Sequence, residues 1–151
     1  MKTAAAFRVP DPAFAARVHG IFDAQALMRT LGADLLRLAP GEVDIAFDYR
    51  TEFTQQNGFL HAGIITTLID TACGLAASTL MPPDADVLSV EFKVNLLRPA
   101  MGERFVAEGR VVKPGQTLMV TQGDLWAWPS SASADGERIH VAMMQATMIR
   151  R

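Results

Sequence analysis

The chain has 151 residues and half of them are apolar, which is enough for about one domain with a core of its own. With 14 Lys and Arg residues against 16 Asp and Glu residues, it lacks the excess positive charge that binding to nucleic acid or to an anionic membrane surface requires, and we expect neither as a partner. Because Cys73 is the single cysteine, an internal disulfide is excluded and a reducing, cytoplasmic compartment is favoured. No signal peptide or transmembrane span is predicted.

The N-terminal part of the chain predicts two helices followed by a β-hairpin. Asp11-Pro12 is a typical helix start, and the apolar residues that follow it have helical spacing, with Gly20 as a candidate break. A second helical stretch ends at Gly32, a residue suited to a left-handed C-cap, so the helical extension covers about 11–31. The period then changes to two on both sides of the turn Pro40-Gly41, which predicts the hairpin.

A long helix over about 61–80 and four strands complete the chain. The helix is apolar on nearly all sides, and Pro82-Pro83 follows its end. The predicted strands cover 87–97, 104–113, 116–128 and 137–149, with turns at 99–102, 113–115 and 130–136. This order of elements indicates an α+β fold, in which one antiparallel sheet wraps around one central helix. We expect a single domain over 1–151, with its core at about 33–150.

Alternation in the first of these strands predicts which of its side chains are buried. One face is apolar and the other is polar, so we expect the apolar face to pack against the central helix. Three methionines of the last strand are predicted to join the same core. The residues concerned are Leu88, Val90, Phe92, Val94 and Leu96, and Met143, Met144 and Met148.

The sequence lacks the motifs of several common classes of enzyme and metal site. There is no glycine-rich nucleotide loop, no G-x-S-x-G, no H-E-x-x-H and no paired C-x-x-C. The positions of His19, His61 and His140 do not prescribe a metal site. We therefore expect neither a metal nor a redox cofactor.

The loop 55–60 and the helix after it hold the candidate chemistry. Asp70 is the one acidic residue of that helix, and a carboxylate on an apolar helix needs either a partner, such as an arginine, or a function. The free N–H groups at the helix start, at Ala62 and Gly63, suit a developing oxyanion. Gln55 or Asn57 in the loop before them can position a carbonyl.

The spacing of these groups constrains how they act together. Asp70 lies eight residues after Ala62, which is about 12 Å along a helix axis at about 1.5 Å per residue. One carbonyl cannot contact both groups of one chain. If both are catalytic, they belong to two subunits packed with their helices antiparallel, and the site lies at a subunit interface.

The motif Gly58-x-x-His61-Ala62-Gly63, followed by Leu68-Ile69-Asp70 and by the run 89–100, resembles the hotdog-fold acyl-CoA thioesterases of the phenylacetyl-CoA (PaaI-type) family. The resemblance covers roughly 41–149. It implies a homo-oligomer, a dimer or a homotetramer arranged as a dimer of dimers, that hydrolyses an acyl-CoA thioester to free acid and CoA. CoA is then part of the substrate, and no cofactor is needed.

The same resemblance implies a role for each site residue. Asp70 is the general base or nucleophile, the amide of Ala62 donates to the oxyanion in place of the family's usual Gly, and Gln55 orients the thioester carbonyl. Ser89 assists the attacking water. His61 fixes the loop and the helix start by hydrogen bonding.

Three other readings of the same residues remain open. The first is that the chain is a hotdog dehydratase. The second is that it is a non-catalytic acyl-CoA-binding module, and the third is that Asp70 has only a structural role.

Cys73 is expected to be an inert buried thiol. The phosphates of CoA need cations, and Arg98, Arg104 and Lys113 are the candidates.

Overall fold

The computed structural model describes residues 7–129 and 137–151, and it contains the predicted elements in the predicted order. They are α1 (Phe14–Ala24), α2 (Ala26–Leu31), β1 (Asp34–Ala39), β2 (Glu42–Asp48), a 3-10 turn (Thr51–Phe53), α3 (Ala62–Ser78), β3 (Val87–Leu96), β4 (Arg104–Lys113), β5 (Leu118–Trp128) and β6 (Ile139–Arg150). The turn predicted at 130–136 lies outside the described residues. Among the helices of the described part of the chain, none is long and apolar enough to cross a membrane.

The two N-terminal helices differ from the prediction at one point. The carboxylate of Asp11 accepts a hydrogen bond from the N–H of Ala13 at 2.9 Å, which fixes the start of α1. The break predicted at Gly20 is wrong, because α1 continues through this exposed residue and ends only at Gln25, whose backbone is extended. The helix survives its glycine because Val18 and Phe22 anchor it in the core on either side. As predicted, α2 ends at Gly32, with φ at +68°.

All six strands form one antiparallel sheet in the order β1-β2-β4-β5-β6-β3. α3 packs against this sheet, and this arrangement confirms the predicted α+β architecture. The inward residues of β2, β4, β5 and β6 form the core together with the sheet-facing side of α3.

A pair of glycines lets α3 approach the sheet closely. Gly109 on β4 is the register partner of Gly123 on β5. A Cβ atom at Gly109 would lie 2.4 Å from the carbonyl carbon of Ala72, and one at Gly123 would lie 2.3 Å from a methyl group of Ile69. Since these atoms leave no room for a side chain, the two glycines set the height of the helix above the sheet.

The predicted burial of β3 is wrong for most of its apolar face. β3 is an edge strand, and a register shift between Ser89 and Glu91 places Leu88 on the face opposite that of Phe92, Val94 and Leu96. Val94 alone of the five packs partly against the core, whereas Leu88, Val90, Phe92 and Leu96 are between 43% and 54% exposed. The methionine prediction holds for Met144 and Met148, which are fully buried, but Met143 is only half-buried.

Candidate active site

His61 organises the start of α3. It is the N-cap residue of the helix, and its Nδ1 accepts a hydrogen bond from the N–H of Gly63 at 2.9 Å. Its own N–H donates to the carbonyl of Phe53 at 2.9 Å, which ties the loop to the helix. The N–H of Gly63 is therefore occupied. The N–H of Ala62, at the first helical position, has no acceptor within the described residues, so it is the donor left for a ligand.

The loop before the helix presents the side chain of Gln55. Its Oε1 accepts a hydrogen bond from the N–H of Asn57, so the side-chain NH₂ is the end that remains free to donate. Gln55 and Ala62 line one pocket of about 320 Å³ with Leu97 and Arg98, which we call the oxyanion pocket. Asn57 takes part only through its backbone, because its exposed side chain does not line this pocket.

Asp70 and Ser89 lie together, although 19 positions separate them in the sequence. Ser89 Oγ donates a hydrogen bond of 2.7 Å to Asp70 Oδ1. Both residues line a second pocket of about 250 Å³, which we call the carboxylate pocket. Asp70 is half-buried and has no ion pair with an arginine of the described chain, so the structural pairing considered from sequence is not present.

The carboxylate pocket is also lined by residues that sequence reasoning did not assign to the site. Ile21 comes from α1 and Gln25 from its junction with α2, and both line the pocket together with residues of α3 and β3. Their sequence signal is an ordinary amphipathic helix, which does not distinguish a residue facing a pocket from one facing the core. Gly74 of α3 completes the lining one turn after Asp70.

Within one chain the candidate groups form two separate halves. Gln55 and Ala62 lie at the N-terminal end of α3, and Asp70 lies eight residues later, about 12 Å along the axis. The oxyanion pocket and the carboxylate pocket have no lining residue in common. Each half therefore lacks the groups of the other.

The three cations predicted to bind the CoA phosphates have different surroundings. Arg104 forms an ion pair of 2.7 Å with Asp48, and Lys113 lies at the opposite end of β4. Arg98 lines the oxyanion pocket, and its guanidinium donates to the carbonyl of His140 at 2.9 Å. The described residues contain no group of His, Cys, Asp and Glu side chains able to hold a metal ion.

Cys73 follows Asp70 by three residues on α3, and its side chain faces the sheet. Its side chain is fully buried, and burial raises the pKa of the thiol to about 12. A thiol in this state is protonated at neutral pH and is a poor nucleophile.

Comparison with known proteins gives a consistent result. The sequence profile of the Thioesterase superfamily matches residues 57–130, which include Ala62, Asp70 and Ser89. The crystal structure of a thioesterase family protein from Silicibacter pomeroyi is 47% identical, with a TM-score of 0.86, and the match covers 91% of this chain and 97% of that one. Acyl-coenzyme A thioesterase 13 of Homo sapiens is 34% identical over 110 residues, which are 72% of this chain and 78% of the relative.

The PaaI protein from the phenylacetic acid degradation operon of E. coli shares the fold. Its TM-score is 0.79 at 17% identity, and the match covers 94% of this chain and 96% of that one. The predicted resemblance is thus confirmed. The chain belongs to the Thioesterase superfamily and has the hotdog fold.

Proposed function

We propose that this protein hydrolyses acyl-CoA thioesters to a free acid and CoA, with Asp70 as the general base or nucleophile. The observation that carries the proposal is the hydrogen bond from Ser89 to Asp70 at the wall of an open pocket. Ser89 engages Oδ1 and orients the carboxylate, which leaves Oδ2 to act on water or on the thioester carbon. No ion pair with a cation of the described chain neutralises Asp70, so its charge is available for this reaction.

The reaction needs few groups. As a base, Asp70 takes a proton from water while the water oxygen bonds to the thioester carbon. As a nucleophile, it bonds to that carbon itself, and water then hydrolyses the resulting anhydride. In both routes the carbonyl oxygen becomes an oxyanion that accepts from the N–H of Ala62, the NH₂ of Gln55 orients the carbonyl, and the C–S bond breaks to release the CoA thiolate.

The complete site is proposed to form between two subunits. The free edge of β3 carries exposed apolar side chains, among them Phe92 and Leu96, and such an edge is suited to pairing with a second copy. Two copies related by a twofold axis would place their α3 helices antiparallel. The Ala62 end of one helix then lies beside Asp70 of the other, which removes the separation of about 12 Å within one chain. A dimer of dimers is the larger assembly that the family resemblance implies.

Arg98 is proposed to bind the phosphates of CoA. It lies at the oxyanion pocket, and within the described chain it makes no ion pair, so its charge is available to an anion. Arg104 is already neutralised by Asp48, and Lys113 is remote from both pockets.

The first test is Asp70→Asn, assayed by thiol release from acetyl-, hexanoyl-, palmitoyl-, phenylacetyl- and benzoyl-CoA. Asn keeps an oxygen for the hydroxyl of Ser89, so the fold should be retained and thermal unfolding should match the wild type. We expect the rate to fall by about 10²–10⁴, the usual contribution of a general base. If the wild-type protein binds acyl-CoA but releases no thiol, the protein is a binding module and the proposal is wrong.

A single turnover in H₂¹⁸O distinguishes the two roles of Asp70. Label in the Asp70 side chain would show nucleophilic attack, because water has then opened the anhydride at the Asp70 carbonyl, whereas a general base directs all the ¹⁸O into the free acid. Mass spectrometry of the peptide that contains Asp70 gives the answer.

The shared site has a test of its own in mixed assemblies. Ala62→Pro removes the proposed donor at a position where proline is tolerated, because His61 before it has φ −63° and ψ 139°. Each homodimer, Asp70→Asn or Ala62→Pro, should be inactive. Subunits mixed in equal amounts should recover about a quarter of the wild-type rate, since half of the dimers then contain one intact site of two. No recovery, with exchange of subunits verified by mass, would place both groups in one chain's site.

A further inference from the structure

Nothing in the described part of the chain requires glycine at position 74. It lies in the middle of α3, where glycine is a poor helix former, and its φ is not in the left-handed region. A Cβ atom built there meets nothing within 4 Å, in contrast to Gly109 and Gly123, where a Cβ would strike the packed helix and sheet. An alanine would therefore fit the described fold and strengthen the helix.

The space beside Gly74 is part of the carboxylate pocket. Gly74 follows Asp70 by one helical turn, so the two share the face of α3 that points away from the sheet. The pocket lining is mixed, with Ile21, Leu75 and Val87 as its apolar residues and Gln25, Thr71 and Asp86 as further polar ones. An acyl group whose carbonyl carbon is held at Asp70 would lie beside Gly74.

We propose that Gly74 is the residue that sets the size of the acyl group, by keeping the floor of the carboxylate pocket free of a side chain. This pocket measures about 250 Å³ within one chain, and the partner subunit of the proposed site would supply its remaining wall, so a side chain at position 74 would reduce the space for the acyl group. This inference rests on the proposed function, because it takes Asp70 as the point where the carbonyl is held.

The test compares Gly74→Ala and Gly74→Leu with the wild type. The measured quantity is the ratio of kcat/KM for hexanoyl-CoA to that for acetyl-CoA. We expect this ratio to fall at least about tenfold in Gly74→Leu and by a smaller factor in Gly74→Ala, because each added carbon occupies pocket space.

Gly20→Ala is the matched control. Gly20 is also a helical glycine with nothing within 4 Å of a built Cβ, but it is exposed and does not line the pocket. Gly20→Ala and Gly74→Ala should both unfold at the wild-type temperature or above it. Only the second should change the substrate ratio.

A binding experiment separates this inference from the proposed function. In the Asp70→Asn background, the dissociation constants for hexanoyl-CoA and acetyl-CoA are measured with Gly and with Leu at position 74, and their ratio is compared. If the wild type releases no thiol but Gly74→Leu still weakens hexanoyl-CoA binding more than acetyl-CoA binding, the proposed function fails and the inference stands. If Gly74→Leu changes both substrates by the same factor, or no acyl-CoA binds, the inference is overturned. If the Gly74→Leu protein has half the molecular mass of the wild type in solution and loses activity equally on both substrates, a partner subunit fills the space beside Gly74. That result also overturns the inference.

Discussion

Replacing Gly109 by alanine tests the contact that holds α3 on the sheet. The added Cβ would lie 2.4 Å and 2.5 Å from the carbonyl carbon and oxygen of Ala72, and 2.6 Å from the nitrogen of Cys73. Favourable contacts between carbon atoms begin near about 3.5 Å, so the helix must retreat by roughly 1 Å. All three atoms belong to the main chain, and no side-chain rotation can relieve the overlap.

The expected loss of stability follows from two opposing terms. Overpacking of a core costs up to about 3 kcal/mol, and the upper end applies here because the obstructing atoms belong to a rigid helix. Replacing glycine within a strand returns about 1 kcal/mol, since alanine has less backbone freedom to lose on folding. The net destabilisation by Gly109→Ala is therefore about 2 kcal/mol, which corresponds to a decrease in Tm of roughly 6 °C for a domain of this size.

Urea unfolding at one fixed protein concentration measures this loss, because the stability of an oligomer depends on concentration. Gly20→Ala, which has no neighbour within 4 Å of its Cβ, should instead be stabilised by up to about 1 kcal/mol. Retreat of the helix should also lengthen the 2.7 Å hydrogen bond between Ser89 and Asp70 and lower the hydrolysis rate. A Gly109→Ala protein with the wild-type midpoint and slope would refute the close contact.

Three further predictions concern the rest of the chain. Arg17 donates to the carbonyls of Ser78 and Met81 at 3.0 Å each, at the C-terminal end of α3, so Arg17→Ala should cost about 3 kcal/mol in urea unfolding. Arg17 also holds the pKa of Asp11 below its ordinary value of 3.8, so the contribution of this pair is complete above that value and is lost as the pH falls through the lowered pKa. Asp11→Asn should therefore lose less stability than the wild type over this acid range, as thermal unfolding from pH 5 to pH 2 will show. Since burial raises the pKa of Cys73 to about 12, the native thiol should not react with a disulfide reagent at pH 8, whereas the protein unfolded in urea should react at once.

Much of the fold follows from local patterns in the sequence. The change of period from helical to alternating after Gly32 correctly predicted the boundary between the N-terminal helices and the sheet. The hairpin, α3 and the last four strands lie within a few residues of their predicted positions. The separation of Asp70 from the helix start also follows from helix geometry alone, and the two separate pockets agree with it.

Two features of the candidate site depend on distant contacts and were therefore not predictable. The family resemblance implied that His61 fixes the helix start by hydrogen bonding, but the amide that its ring engages, the N–H of Gly63, depends on the His61 rotamer, which sequence spacing does not specify. The contribution of Ile21 and Gln25 depends on how the N-terminal helices dock on α3, which is a question of tertiary packing.

β3 shows why an alternating pattern is an incomplete guide to burial. Alternation states that one face of a strand avoids water, but it does not state what covers that face. The prediction assigned the cover to α3 of the same chain, yet Val90 and Leu96 are 54% and 51% exposed. Exposed apolar side chains on an edge strand mark a candidate surface for pairing with a second chain. In the proposed dimer, the surface that covers β3 also brings Ala62 of one subunit to Asp70 of the other, so one assembly would account for both the exposed strand and the divided site.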